Sequence, residues 1–227
     1  VLIGLNMLQK IIEGVSREKD EDIFQFVDKY VDDISWADLC TNMGGSISTG
    51  FLDRYRSHIR WEWLTLSAVP LPSDILARYW DALPTDLVIA NQVLPEWLIR
   101  AKLSNKEDRD YMLYMGSISS FQKLSDGFIR DFGCYLNWYS LSQKQTLSIA
   151  ILREFSAKIY WDEVSACQTL SQSMMHEFAD KLDWDKIAKY QKLNADTINL
   201  FSSHLPYSVL KTREDIPSVW LKEVYGF

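Results

Sequence analysis

Trp138, Trp161, Trp184 and Tyr207 stand 23 residues apart in each case. A fixed period constrains a fold more than any single motif, because each unit must repeat both its own shape and its contact with the next. The rest of the unit keeps step. Three residues after each aromatic come Leu141, Val164, Ile187 and Leu210, and seven after come Gln145, Gln168, Gln191 and Glu214. Leu147, Leu170, Leu193 and Ile216 follow at nine, each trailed by Ser148, Ser171, Asn194 or Pro217. In the second half, Leu152, Met175, Ile198 and Leu221 lie fourteen after the aromatic, and Phe155, Phe178, Phe201 and Val224 seventeen after. Ile159, Leu182 and Leu205 close the unit at twenty-one.

Upstream the register holds with small insertions. Met115 takes the aromatic position of a unit containing Ile118, Gln122, Leu124, Ser125, Ile129, Phe132 and Leu136. Trp61 opens a unit with one extra residue, and Trp36 one with two, placed in the loop holding Gly44 and Gly45. A weaker unit begins at Thr85, with Lys102 at its phenylalanine position and an insertion over Ser104 to Asp110. Val27, Tyr30 and Ile34 read as the tail of a degenerate first unit. The organisation is therefore N-terminal helices over residues 1–35, then a repeat array over 36–227 with units near 36, 61, 85, 115, 138, 161, 184 and 207.

Within a unit, the spacings zero, three, seven and fourteen, seventeen, twenty-one each describe one apolar helix stripe. The Ser, Asn or Pro between them belongs at a helix start, where the side-chain oxygen accepts from exposed amides or the missing N–H costs little. Each unit is predicted to be a short helix, a tight turn and a longer helix of about eleven residues. Pro70, Pro72, Pro84, Pro95, Pro206 and Pro217 all fall at predicted helix boundaries, and no period-two alternation supports strands. Two short helices cannot bury their stripes alone, so neighbouring pairs must stack. The expected fold is all-α, an elongated α-solenoid of tandem helix–turn–helix repeats. Trp36, Trp61, Trp138, Trp161 and Trp184, with Phe132, Phe155, Phe178 and Phe201, are its predicted anchors.

Composition narrows the function. A net charge of −7 and a pI near 5.0 repel phosphate backbones, so no nucleic-acid binding is expected. Arg54, Arg56, His58 and Arg60 form the densest basic cluster, but helical spacing splits them between two faces of a solvated, salt-bridged helix. Cys40, Cys134 and Cys167 are widely spaced, which suits a reducing compartment rather than disulfides or a zinc cage. No apolar run reaches the ~18 residues of a membrane span, and Val1 to Gly14 reads as a helix of the fold, not a signal peptide.

No catalytic constellation stands out. His176-Glu177 has Asp180 where a zinc-protease helix needs its second His, so these residues read as an exposed face, and His58 and His204 as solvated. Gly44-Gly45 lacks the Lys that follows in a phosphate loop. The acidic run Glu18, Asp20, Glu21 and Asp22 marks a helix start. No cofactor or metal is expected. The recurring Gln145, Gln168 and Gln191 admit two readings, a peptide-binding ladder or a structural role satisfying backbone groups at the turn between each unit's two helices, and the second fits their register.

The stretch Leu182-Asp183-Trp184, Ile187, Tyr190-Gln191-Lys192-Leu193 and Ile198 to Phe201 resembles the short Trp- and Gln-containing tandem repeats of giant DNA virus and large phage proteins. The resemblance is good across Gly116 to Leu205, partial from Trp36 to Arg100 and absent at the N-terminus. It implies a viral source and a binding or structural role, and it carries over no catalytic residue. The units diverge more than the near-identical arrays of that kind, which implies that each is fitted to its own neighbour. The expectation is a non-enzymatic interaction scaffold for protein partners, capsid proteins among them, in the virion as a minor structural component. The alternative is a soluble adaptor that binds a host or defence protein in the infected-cell cytoplasm.

Overall fold

The computed structural model describes residues 9, 11–13, 21–43, 47–103, 107 and 109–226. The chain divides into two compact bodies, Val1–Gln122 and Lys123–Phe227, so the division falls inside the repeat that begins at Met115. All regular structure among the described residues is helical. The first body holds α1 (Glu21–Lys29), α2 (Trp36–Met43), α3 (Thr49–Arg54), α4 (Trp61–Thr65), α5 (Ser73–Arg78), a 3-10 turn (Trp80–Ala82), α6 (Thr85–Asn91), α7 (Glu96–Lys102) and α8 (Tyr111–Phe121). The second holds α9 (Asp126–Phe132), α10 (Trp138–Lys144), α11 (Ile149–Glu154), α12 (Trp161–Cys167), α13 (Gln172–Glu177), α14 (Trp184–Tyr190), α15 (Ala195–Leu200), α16 (Tyr207–Leu210) and α17 (Ser218–Tyr225).

One helix per repeat stacks beside its counterpart in the next. In the first body α2 packs on α4, α4 on α6 and α6 on α8; in the second, α10 packs on α12, α12 on α14 and α14 on α16. Each body is thus a solenoid-type stack of helical hairpins, as the period requires. The Gly44-Gly45 loop and most of the Ser104 to Asp110 insertion lie outside the described residues, as do most of Val1 to Gly14 and the start of the acidic run.

The second helices begin as their spacing predicts. Ser48, Ser125, Ser148 and Ser171 each accept from the amide three residues on, at 3.2 Å, and Asn194 accepts from Thr197 at 2.8 Å. Pro72, Pro95 and Pro217 take the same N-cap place in extended conformation. The first helices have caps of their own, with Asn137 and Asp183 accepting from the Ser140 and Lys186 amides.

The second helix is shorter than its apolar stripe implies. α11, α13 and α15 are each 6 residues long, and the buried residues Ile159, Leu182 and Leu205 sit beyond them on turns. The tail after each helix is tied to its neighbours. The Tyr160 amide donates to Ser142 Oγ of α10, while Ser156 O accepts the indole N–H of Trp161. Asp183, Ser165, Ala179 and Trp184 repeat the same pair of bonds one unit later.

The deepest core is not the Trp column. Leu39, Leu64, Val88, Ile118, Leu141, Val164, Ile187 and Leu210, three after each unit start, are all 0% exposed. The next column is fully buried as well up to Ala188 and, apart from Ile89, holds small residues or a thiol, Cys40, Thr65, Ser119, Ser142, Ser165 and Ala188, while Lys211 of the last unit is exposed. Short side chains there let successive first helices approach. Trp36 and Trp138 are buried, whereas Trp61, Trp161 and Trp184 are half-buried. Phe132, Phe178 and Phe201 are buried and Phe155 half-buried.

Three positions slip by one residue from the sequence register. Leu103 rather than Lys102 is buried at the end of α7, and Tyr225 rather than Val224 meets the Tyr207 ring, at 5.4 Å. Arg213, not Glu214, takes over from the glutamine column. In each case the intervening turn absorbs one extra or one missing residue, and the side chain that reaches the contact takes the role.

Candidate interaction surface

The five Trp anchors share one geometry. Each first-helix Trp packs on the aromatic that ends its own unit's second helix: Trp36 on Tyr55, Trp61 on Tyr79, Trp138 on Phe155, Trp161 on Phe178 and Trp184 on Phe201, with centroids 4.8–5.6 Å apart. Four of them also donate the indole N–H to the carbonyl five residues earlier, on the tail of the preceding unit. These are Trp36 to Val31, Trp138 to Gly133, Trp161 to Ser156 and Trp184 to Ala179, at 2.6–3.1 Å. A Trp therefore ties two hairpins with one side chain, its ring serving one and its N–H the other. A cationic or imidazole side chain covers the same rings. Lys158 lies over Trp138 and Lys181 over Trp161, both at 5.8 Å, while His58 packs on Trp36 at 5.1 Å and His204 on Trp184 at 4.7 Å. The two histidines are thus ring partners rather than merely solvated groups.

The glutamines are structural, but they serve the turn of the preceding unit instead of their own. Gln168 accepts from the Leu147 amide at 3.2 Å and donates to the Ser142 carbonyl at 2.8 Å and to the Gln145 carbonyl. Gln191 donates to Ser165 O and Gln168 O, and Gln145 accepts from Leu124 N. In the first body Gln92 bridges Leu71 N and Thr65 O, and Gln122 bridges Leu94 N, Ile89 O and Gln92 O. One amide group offers both a donor and an acceptor, which is what a turn with exposed carbonyls and one exposed N–H needs. At the last repeat Arg213, held by Asp215, donates to Ala188 O and Gln191 O at 2.8 Å. It supplies only donors, enough for the two carbonyls.

The second helices are joined along their exposed faces by ion pairs. Arg130 meets Glu154, and Arg153 meets Glu177, in the second body. In the first body the polarity is reversed, with Arg54 reaching back to Asp28 and Arg78 to Asp53. Tyr55 and Tyr79 donate their hydroxyls to the same two aspartates at 2.7 Å. Burial, then the bonded carboxylate, pushes both phenols up to about 12. Arg54 and then Tyr55 hold the Asp28 carboxyl below its ordinary value, and Arg153 does the same for Glu177. The basic cluster does not form a helix face. α3 ends at Arg54, and Arg56 lies over the Trp61 and Tyr79 rings.

Each body also exposes a ledge of large aromatics: Trp63 and Phe121, with Trp97 on a second helix, in the first, and Tyr139, Tyr160 and Tyr190 in the second, all 44–56% exposed. Tyr139 and Tyr160 meet edge-to-face at 5.5 Å, and the Glu163 carboxylate raises the Tyr139 phenol above its ordinary range. Periodicity picked out the buried aromatics and passed over these. Their signal was present nonetheless: an aromatic outside every core column has no burial to account for it.

The remaining candidates stay apart from one another. His176 is exposed on α13, and the exposed Cys167 sulfur lies 4.0 Å from Glu163 Oε2. Cys40 is buried, and that burial pushes its thiol up to about 11. Among the described residues no group of three or more His, Cys, Asp or Glu converges for a metal ion, and no helix is long and apolar enough to cross a membrane. A scan of the chain against protein-family models matches none, and searches among curated proteins and solved structures return no match.

Proposed function

We propose that this chain is a non-enzymatic helical-repeat scaffold that binds other proteins, a minor structural component associated with a virus particle or capsid. The observation that carries the reading is the division of labour among its side chains. Gln, Ser, Trp and Arg at repeating positions are committed to holding one hairpin on the next, while a separate set of large aromatics is held half-exposed. Exposed Trp and Tyr on a rigid support are the residue types that dominate protein interfaces. The viral part of the reading rests on the resemblance around Leu182 to Phe201.

Quantitative mass spectrometry of purified particles tests it. Recovery at fixed stoichiometry, with crosslinks from Trp63, Tyr139 or Tyr190 segments to a particle protein, is the expected result. Recovery solely from infected-cell cytosol, bound to a host protein, would assign the chain to the adaptor reading instead.

A further inference from the structure

The junction between the repeats of Trp61 and Thr85 departs from the pattern in three independent ways. First, Trp61 is the one anchor whose indole N–H finds no carbonyl acceptor among the described residues, although Arg56 stands five residues earlier as in the other units. Second, the column that covers the ring with Lys158, Lys181, His58 or His204 holds Ala82 here, a single methyl, and the cation over Trp61 is instead Arg56, at 5.8 Å. Third, the residue before Thr85 is Pro84. Like Pro206 before Tyr207, it has no amide to give the preceding first helix, whereas Tyr160 and Asp183 donate at this step. The result is an open groove of about 560 Å³ lined by Ile59, Arg60, Trp61, Glu62, Trp63 and Ala82 to Pro84. Its size falls within the ~300–1,000 Å³ typical of ligand sites.

The groove's chemistry specifies its occupant. Its walls combine the aromatic and aliphatic side chains of Trp61, Trp63, Ile59, Leu83 and Pro84 with at least as much polar surface. Trp61 and Trp63 offer indole N–H donors and Arg60 a guanidinium, none of them hydrogen-bonded by its side chain among the described residues. Glu62 is the one side-chain acceptor among the lining residues. A donor-rich, acceptor-poor aromatic groove suits a ligand that is rich in carbonyls and poor in N–H groups. A proline-rich segment in polyproline II conformation is such a ligand: its backbone makes no internal hydrogen bonds and its rings stack on aromatic walls. Glu62, with the exposed Asp81 and Asp86 on either side of Ala82 to Pro84 in the chain, makes no side-chain ion pair among the described residues. The first body carries 18 acidic against 12 basic residues, so charge complementarity adds a basic residue to the ligand.

We infer that the groove at Trp61, Trp63 and Pro84 is a docking site for an extended, proline-rich, basic peptide segment of a partner protein. It rests on the scaffold reading and names one of the scaffold's contact points. The test is fluorescence anisotropy with the full chain and a fluorescein-labelled peptide of alternating proline and leucine flanked by arginines. Saturable binding is expected. It should weaken by at least about tenfold in Trp63→Ala, which removes an exposed side chain, and in Ala82→Lys, which fills the groove with the repeat's own cation. A peptide with glycine for proline should bind at least about tenfold more weakly, and one with glutamate for arginine more weakly than the parent. Circular dichroism confirms that both variants fold. Absence of saturable binding, binding untouched by both variants, or equal binding of the glycine peptide overturns the assignment. Failure here is separable from failure of the scaffold: if the particle partners crosslink to Ala82→Lys as to wild type and the peptide does not bind, the groove is wrong and the scaffold stands.

Discussion

Replacing Gln168 with Met keeps the length of the side chain and removes every polar atom from it. Three backbone groups of the preceding turn lose their partner at once: the Leu147 amide and the Ser142 and Gln145 carbonyls. An unsatisfied buried group costs ~1–3 kcal/mol, which makes at least about 3 kcal/mol for the three. Urea unfolding of the full chain measures it, with Gln143→Met as the control. Gln143 reaches only a partly exposed Glu163 carboxylate at 3.3 Å, so its loss should stay within about 0.5 kcal/mol. Amide exchange localises the effect, since Leu147 should lose its protection in Gln168→Met and keep it in the control. Gln168→Glu adds a pH signature. An ionised carboxylate faces two carbonyls with no proton to offer, so folding raises the pKa of the introduced carboxyl above its unfolded value. The variant is then most stable below that unfolded value, about 4.3, and loses stability as pH rises through the raised pKa. A cost below about 1 kcal/mol in Gln168→Met, with Leu147 still protected, would refute the clamp.

Trp161→Phe keeps the ring on Phe178 and loses the bond to Ser156, so calorimetry should show a loss of about 1 kcal/mol, against ~3 kcal/mol or more for Trp161→Ala. Arg213→Met should cost about 2 kcal/mol by releasing two carbonyls, while Glu214→Ala stays within about 0.5 kcal/mol, the reverse of what the sequence register alone implies. Spectrophotometric titration should find Tyr55 and Tyr79 ionising last, near the value of about 12 to which burial and their carboxylates push them. Because those pKa values are raised, the stability they contribute is complete below the ordinary phenol value of 10.0 and is lost as pH climbs through about 12. A thiol reagent at pH 8 should label Cys134 and Cys167 at once and Cys40 only on unfolding, given its burial and its pKa near 11.

How much was legible beforehand follows from where each contact lies along the chain. The 23-residue step, the apolar columns, and the Ser, Asn and Pro at helix starts are local features, each legible within one unit. The one-residue slips at Leu103, Arg213 and Tyr225 were not legible, because a turn can take up a residue without changing the order of apolar positions. The ledge of Trp63, Phe121, Tyr139 and Tyr190 was missed because periodicity reports which residues recur and therefore pack. Residues that do not recur are invisible to it. The groove at Trp61 is the same case: an unmet indole N–H and two unrelated substitutions become one feature only when Ala82 and Pro84 are brought beside the ring.

Residue order alone dictates that helices alternate on a regular step and bury the same face each time, because stripe spacing and cap chemistry act within a few residues. Which neighbour each polar side chain serves was set by the stacking of the hairpins. Gln168 satisfies the turn before its own, Trp161 sends its N–H back to Ser156, and Tyr160 gives its amide to Ser142. Those choices follow from which backbone groups a neighbouring hairpin leaves unsatisfied within reach of a single side chain, a quantity that exists only once the hairpins have stacked.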